Sequence, residues 1–299
     1  MNVSKSFLQD EIRNDHLVTT EVKKLWAVEL DILETFSAVC KKYNLRYYAA
    51  GGTLLGAVRH KGYIPWDDDI DVQMPEEDYY KLCELAEDEF SPPYFFQSWQ
   101  SEQDARPYFS RLRRMDTLAC TKEELENDPD RNKGVFIDVF ALTGVPDNKA
   151  AYSIKMIRLK LLRRIIDGNK VDRLYKRAEG KEKNKYRFDP RRLVWLFVRL
   201  FISFRKLSDH YVRVSRGKGN EMRIAASAFR PGDEKLTWNR DDFSESIDMP
   251  FEYTTIKAPR NYDAVLKKQY GDYMKPVKGG AYHSDLVFNT DKVFDDQHE

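Results

Sequence analysis

Residues 49–79 read AAGGTLLGAVRHKGYIPWDDDIDVQMPEEDY, and this stretch decides the fold. It begins at the end of a β-like run, residues 46–50, which is terminated by Gly51 and Gly52. The following letters TLLGAVRH predict a short helix, residues 70–74 predict a second strand, and the Pro75 that follows predicts the start of a helix reaching residue 90. The unit is therefore strand, glycine turn, helix, strand, helix.

Four aspartates crowd into five positions of this stretch: Asp67, Asp68, Asp69 and Asp71. Carboxylates this close repel one another unless a cation lies among them or their pKa values shift. Oxygen ligands without a neighbouring Cys or His favour Mg²⁺ or Mn²⁺ over zinc, and such ions usually act on substrate phosphates. The cluster therefore predicts a divalent metal site.

The alternation D-I-D-V that ends the cluster predicts a strand. Asp69 and Asp71 are then expected on one face, about 7 Å apart, with Ile70 and Val72 facing the core. A solvated acidic loop is the alternative, and the alternation argues against it. An EF-hand loop counted from Asp67 would place its glycine at position 72, which is Val72, so a calcium loop is excluded.

Two further features complete the candidate site. The turn at Gly51, Gly52 and Thr53 offers free N–H groups and a helix N-terminus to a phosphate, although neither G-x-x-x-x-G-K-[ST] nor G-x-G-x-x-G is present. Asp138 stands alone in the apolar run GVFIDVFAL, residues 134–142. Because a lone buried charge is costly, Asp138 either faces solvent on an edge strand or joins the cation site.

Composition excludes several classes of protein. The 299 residues are 41% hydrophobic and 13% aromatic, enough for a sizeable core. The net charge of +1 gives no global attraction to nucleic acid, and no nucleic-acid-binding signature is present. Cys40, Cys83 and Cys120 form no C-x-x-C pair, so a reducing compartment is expected. Without a signal peptide or a run of 18 apolar residues, we expect a cytoplasmic protein.

Charge is distributed unevenly along the chain. Residues 151–218 contain 21 Lys and Arg against 6 Asp and Glu, a net charge of +15, whereas the rest of the chain has a net charge of −14. We therefore divide the chain into a catalytic core (1–148), a basic helical segment (149–220) and a C-terminal mixed region that completes the core (221–299). The basic segment is open to three interpretations: a solvated subdomain, an acceptor surface for an anionic glycan or a lipid-diphosphate carrier, or a peripheral contact with the inner face of the membrane.

One stretch of the basic segment is strongly apolar. Residues 193–204 read LVWLFVRLFISF and suit either an interfacial helix bordered by cations or a buried core helix. Oligomeric state is open for the same reason, because an apolar segment also suits an interface.

Periodicity places the remaining elements. Apolar residues spaced by three and four predict a helix that Thr19 or Thr20 caps: Leu25, Val28, Ile32, Phe36, Val39 and Cys40. Residues 108–113 and 135–142 are β-like, residues 151–216 are mostly helical, and residues 262–270 predict a helix. The fold class is therefore α/β (α+β), a mixed sheet core flanked by helices with a basic helical insertion.

Residues 49–79 closely resemble the signature of the LicD family of phosphotransferases, which includes phosphorylcholine transferases and relatives of fukutin-related protein. Residues 108–117, 134–148 and 256–276 also resemble blocks of this family, so the likeness covers most of the chain. The resemblance implies a nucleotidyltransferase-like fold. It departs from the fukutin-related relatives in lacking zinc-finger cysteines, so no assembly built on such a finger is expected.

The resemblance also implies an activity. It is the Mg²⁺-dependent transfer of a substituted phosphate, such as phosphocholine or a polyol phosphate, from a CDP-linked donor such as CDP-choline to a hydroxyl of a surface glycan, with release of CMP. The glycan is a lipopolysaccharide, teichoic acid or capsule, lipid-linked in one interpretation. The alternatives are a nucleotidyltransferase that keeps the nucleotide on its product and releases pyrophosphate, and a non-catalytic glycan-binding module.

Site residues follow by position. Asp69, Asp71 and Asp138 are implied as the catalytic, metal-binding carboxylates, while Gly51, Gly52 and Thr53 contact the donor phosphates. Arg111 and Arg113 alternate on one strand and are candidate phosphate-binding cations. Arg59 and His283 complete the candidate substrate-binding residues. Tyr270, Asp272 and Tyr273 are expected to shape the fold or the pocket rather than to take part in the chemistry.

Overall fold

The computed structural model describes residues 3–127, 131–226, 233–277 and 286–295. The strands are β1 (Glu11–Arg13), β2 (His16–Val18), β3 (Tyr48–Ala49), β4 (Asp71–Pro75), β5 (Tyr94–Gln97), β6 (Ser110–Arg114), β7 (Leu118–Thr121), β8 (Val135–Val145), β9 (Arg223–Ala226), β10 (Thr237–Asn239), β11 (Ser246–Phe251), β12 (Thr254–Pro259) and β13 (Leu286–Asn289). The helices are α1 (Thr20–Lys42), α2 (Gly51–His60), α3 (Glu76–Glu89), α4 (Lys122–Asn127), α5 (Lys149–Arg177), α6 (Gly180–Arg187), α7 (Pro190–Val198), α8 (Phe204–Ser215), α9 (Tyr262–Tyr270) and α10 (Asp291–Asp295), with 3₁₀ turns at Glu234–Leu236 and Arg240–Phe243.

A seven-stranded sheet with β8 at its centre organises the chain. One edge of β8 pairs in parallel with β4, and β4 pairs antiparallel with β3. The other edge is shared, because β6 pairs antiparallel with the first half of β8 and β9 with its second half. β5 extends the sheet beyond β6, and β10 extends it beyond β9. This mixed, open sheet with flanking helices confirms the predicted fold class.

The two faces of the sheet carry different layers. Ile70, Val72, Ile137 and Val139 are fully buried in the larger core, which also holds α1. The alternate residues point the other way, and Phe140 belongs to a second core with residues of α5, α7 and α8. The prediction that Ile70 and Val72 face the core is therefore confirmed. The basic helical segment covers the sheet face that carries positions 138 and 140.

The predicted first helix is present. α1 runs from Thr20 to Lys42, and the Thr19 hydroxyl accepts a hydrogen bond from Val22 N. The six apolar positions that predicted this helix are all buried. Polar capping of one end and an apolar stripe along the helix thus fixed both its start and its inner face.

The basic segment begins where the composition changes. α5 starts at Lys149, and the Asn148 side chain accepts hydrogen bonds from Ala150 N and Ala151 N. α7 and α8 fold back against α5, and Trp195 and Tyr211 enter the second core. In the described part of the chain, no helix combines the length and apolar character needed to cross a membrane.

Candidate active site

Three charged side chains lie in a row across neighbouring strands. Asp138 of β8 is in register with Asp71 of β4 on one side and with Arg111 of β6 on the other. Residues in register point to the same face of a sheet, and Arg111 Nε donates to Asp138 Oδ1 at 2.7 Å. Because β8 has a neighbour on each side here, the interpretation of Asp138 as a residue on an edge strand is wrong.

The acidic loop precedes this row. Asp67, Asp68 and Asp69 each offer a carboxylate oxygen within 4.8 Å of the other two. The predicted position of Asp69 on the strand is wrong, because β4 begins at Asp71. The ladder to β8 stops at the bond from Asp138 N to Ile70 O, 2.9 Å long, so the residues before it form a loop. This loop lets the three carboxylates turn toward one another.

A hydrogen bond from Trp26 and a stacked aromatic pair connect α1 to the acidic loop. Trp26 of α1 donates through Nε1 to Asp67 O at 3.0 Å. Tyr63 stacks on Trp26 with ring centroids 4.4 Å apart and donates to Glu29 Oε2 at 2.7 Å. Burial, more than the nearby aspartates, raises the pKa of Glu29 well above its usual range. None of these three supports was predicted, since in the sequence Trp26 and Glu29 are only positions on an amphipathic helix.

The glycine turn lies directly against the carboxylates. Gly51 has φ +51°, and a Cβ there would lie 3.3 Å from Asp71 Oδ2. A Cβ at Gly52 would lie only 2.5 Å from Asp67 Oδ2. The Thr53 hydroxyl accepts a hydrogen bond from Asp71 N at 2.8 Å. The two glycines thus allow the close approach, and Thr53 fixes the backbone of Asp71.

Burial and mutual repulsion raise the pKa values of two of these aspartates. Burial, followed by the charges of Asp69 and Asp68, raises the pKa of Asp67 to about 8. Burial and the charges of Asp69, Asp138 and Asp67 raise the pKa of Asp71 well above its usual range, although Arg111 opposes the effect. A divalent cation would relieve this repulsion. All the donors are carboxylate oxygens, which fit Mg²⁺ or Mn²⁺.

A cavity of about 360 Å³ opens beside the turn. Its lining includes Gly51, Asp71, Lys235, Trp238 and Tyr270. Asp71, Asp67 and Asp69 all act on the Tyr270 hydroxyl electrostatically, although burial is the main reason that its pKa is raised. Tyr270, which was expected to shape the fold or the pocket, thus lines this cavity. Lys235 and Trp238 were missed because they belong to no motif. Lys235 lies in the 3₁₀ turn Glu234–Leu236, and Trp238 lies in β10, which pairs with β9.

Arg111 also borders a second cavity, of about 140 Å³, on the side of the basic segment. Arg106, Arg131 and Lys170 line it as well, with Glu124 among them. Burial opposes ionisation of Glu124, but a hydrogen bond from Thr121 N and, after it, the charges of Arg111 and Arg113 lower its pKa. This cavity is therefore cationic, and it connects the row of charged residues to α5 through Lys170.

The remaining predicted residues serve different partners. Arg59, in the last turn of α2, donates to Tyr273 O at 2.8 Å. Arg113 is buried and donates to Gln97 Oε1 at 2.7 Å and to Gly134 O at 2.6 Å, so these bonds tie neighbouring segments together. His283 lies outside the described residues.

The comparison with protein families agrees with this geometry. Residues 44–142 match the family model described as LicD/FKTN/FKRP, nucleotidyltransferase domain. The matched region contains the glycine turn, the acidic loop and the row Asp71, Asp138 and Arg111. The matched residues therefore form a LicD-type nucleotidyltransferase domain.

Curated relatives extend the likeness beyond the matched domain. It is 28% identical over 249 residues to the lipopolysaccharide cholinephosphotransferase LicD of Haemophilus influenzae, a match that covers 82% of the chain and 88% of the relative. An uncharacterized protein of Rickettsia prowazekii is 50% identical over 44 residues, 15% of the chain and 16% of the relative. An uncharacterized protein of Rickettsia typhi is 39% identical over 77 residues, 24% of the chain and 25% of the relative.

Proposed function

We propose that this chain is a LicD-type phosphotransferase that moves phosphocholine from a CDP-linked donor to a hydroxyl group of a cell-surface glycan and releases CMP. The observation that carries the proposal is the row of Asp71, Asp138 and Arg111 beside the Gly51–Gly52 turn. The likeness to a lipopolysaccharide cholinephosphotransferase over 82% of the chain supports choline as the head group and lipopolysaccharide as the first acceptor to test.

The reaction breaks one phosphoanhydride bond and forms one phosphoester bond. The acceptor hydroxyl oxygen attacks the phosphorus that carries choline, and the bond from that phosphorus to the bridging oxygen breaks. CMP leaves with the bridging oxygen and its electron pair. The hydroxyl proton passes to Asp71 or Asp138, the two carboxylates that the strand pairing places side by side. Arg111 holds Asp138 in place through the 2.7 Å bond and adds positive charge near the phosphates.

Asp69, Asp71 and Asp138 would hold a divalent cation, with Asp67 and Asp68 beside them. The fit rests on the purely oxygen donor set and on the raised pKa values of Asp67 and Asp71, which a cation would lower. When bound, such an ion neutralises charge on the diphosphate and on the leaving oxygen. The protein's own part is to keep these carboxylates within reach, through Thr53 and the glycine turn.

The two cavities suit the two substrates. The larger one borders the glycine turn and offers Tyr270 as an aromatic surface and Lys235 as a cation, which suits a nucleoside diphosphate. The smaller one is cationic and lies on the other side of Arg111, toward α5, which suits an anionic glycan. We assign the donor to the first and the acceptor to the second.

The test is CMP release by the purified full-length chain. The assay uses CDP-choline, lipopolysaccharide and Mg²⁺, with and without EDTA, and also CDP-ethanolamine, CDP-glycerol and CDP-ribitol. Asp71→Asn and Asp138→Asn are each expected to reduce CMP release at least 100-fold, since each removes a charged carboxylate from the reacting row. Asp88→Asn, at an exposed aspartate of α3, is the matched control and is expected to leave the rate unchanged.

The products separate the proposal from its alternatives. CMP from CDP-choline together with choline on the glycan supports the proposal. Pyrophosphate release from a nucleoside triphosphate, with nucleotide retained on the product, would replace it with the nucleotidyltransferase alternative. Glycan binding without turnover of any donor, in a preparation that contains Mg²⁺, would favour the non-catalytic module.

A further inference from the structure

A patch of large apolar side chains is exposed on the basic segment. It consists of α7 residues Leu193, Val194 and Phe197 with Leu200 and Phe201 of the turn that follows, and we call it the α7 patch. Phe197, Leu200 and Phe201 are 64%, 72% and 76% exposed. The rings of Phe197 and Phe201 lie 5.2 Å apart, so they form one continuous apolar surface. Exposure of this kind usually marks an interaction site.

The inner side of α7 is firmly attached to α5. Trp195 is buried in the second core, and a Cβ at Gly168 of α5 would lie 2.2 Å from Arg191 O. Arg192 and Arg199 form ion pairs with the buried Asp172 of α5 at 3.0 and 3.3 Å. The α7 patch therefore faces outward because the opposite side of the helix is specifically packed.

Basic residues flank the patch along the chain. The exposed basic side chains of α5 to α8 include Arg164, Arg187, Arg191, Arg205 and Lys206. The segment has 15 more basic than acidic residues between positions 151 and 218, while the rest of the chain is acidic. Apolar side chains bordered by Lys and Arg are the pattern of helices that lie in the interface of an anionic bilayer.

We propose that the α7 patch docks onto the surface of a bilayer that contains anionic lipids. α7 spans about 14 Å, at 1.5 Å per residue, so it lies along the interface with the patch inserted and the flanking cations at the lipid phosphates. Three exposed residues of α5, Ile154, Ile157 and Leu161, add apolar surface to the same segment. Docking does not depend on the proposed phosphotransfer.

The test is co-sedimentation of the full-length chain with vesicles. Phosphatidylcholine vesicles are compared with vesicles of phosphatidylcholine and phosphatidylglycerol at 0.1 and 0.5 M NaCl. We expect binding to the anionic vesicles and at least a fivefold loss at the higher salt, because the cationic contribution is screened. The triple variant Phe197→Ser, Leu200→Ser, Phe201→Ser is expected to bind at least tenfold more weakly. The matched control is Ile12→Ser, Met222→Ser, Val277→Ser, which changes three equally exposed apolar residues outside the segment and is expected to bind within twofold of wild type.

Several results would overturn the proposal. Equal binding of wild type and the patch variant would exclude the patch, and equal binding to neutral vesicles would exclude the anionic surface. Absence of vesicle binding, with a dimer that the patch variant abolishes in sedimentation velocity, would make the patch a self-association interface. Circular dichroism and melting temperature verify that the variant is folded. CMP release with a soluble acceptor, unchanged in the variant, separates this proposal from the phosphotransfer.

Discussion

The substitution Gly52→Ala tests whether the position of one carboxylate decides the activity. A Cβ at this position would lie 2.5 Å from Asp67 Oδ2, while Asp67 itself is only 4% exposed. Ordinary contact needs about 3.4 Å, so the carboxylate has to move by roughly 1 Å. The atom that moves is the end of a side chain, whereas the backbone around it is held by the bond from Trp26 to Asp67 O.

The expected effect falls on catalysis more than on stability. Misplacement by about 1 Å commonly costs about 100-fold in rate, which corresponds to roughly 2.7 kcal/mol of transition-state stabilisation. Stability changes little in comparison, because alanine is favoured over glycine in a helix by up to about 1 kcal/mol. That gain offsets part of the cost of moving the Asp67 carboxylate.

The assay measures kcat/KM for CMP release alongside urea unfolding. Gly180→Ala is the control for turnover only. No atom lies within 4 Å of the Cβ position there, so it is expected to retain wild-type turnover, while its φ of +54° lowers stability without a contact at the site. Activity of Gly52→Ala within threefold of wild type, in a folded protein, would show that the position of Asp67 does not matter. A large loss of stability would show instead that the contact is not relieved by the side chain alone.

Two further predictions concern stability. Thr53→Val removes the hydroxyl that accepts from Asp71 N at 2.8 Å, so urea unfolding should show a loss of about 1 kcal/mol that Thr53→Ser restores; equal stability of the two variants would contradict this role. In the absence of divalent cations, the free energy of unfolding should fall as the pH rises from 6 to 8. The reason is that burial raises the pKa of Asp67 in the folded chain to about 8, so folded Asp67 still binds a proton that the unfolded chain has already released. Mg²⁺ should reduce this fall by stabilising the ionised carboxylates, and Asp67→Asn should flatten it; a steeper fall with Mg²⁺ would contradict the assignment of the cluster as a cation site.

Local patterns were sufficient where the chain forms contacts with its near neighbours. The periodicity that ends at Cys40 identified α1, and the letters TLLGAVRH identified α2, which begins two residues before them, at Gly51. Local patterns failed at Asp69, because alternation alone does not show where a ladder stops. β4 begins at Asp71 because the last hydrogen bond of its ladder with β8 runs from Asp138 N to Ile70 O. Asp138 is distant in the sequence, so local alternation cannot show where this ladder ends.

The site was predictable as a set of residue types but not as an arrangement. Asp138 was a candidate because a lone carboxylate in an apolar run needs a partner, yet the sequence left an edge strand open as the alternative. Only the shared pairing of β8 with β4 and β6 places Asp71 and Arg111 on either side of it. Lys235 and Trp238 were not found at all, since neither residue carries a motif. The pairing of β10 with the distant β9 positions Trp238, and Lys235 lies in the turn just before β10.

The net charge of +1 is the sum of a basic segment and an acidic remainder, and these two parts of the chain carry different groups. The acidic part of the chain holds five aspartates in one place, which is tolerable only beside a cation or with raised pKa values. The basic part carries the α7 patch and contributes Lys170 to the smaller cavity. Because Asp138 and Phe140 point to the same sheet face, and Phe140 packs in the core of the basic segment, both parts meet on that face. An anionic acceptor attracted to the basic segment would therefore reach the carboxylates from the side where Arg111 already offsets their charge.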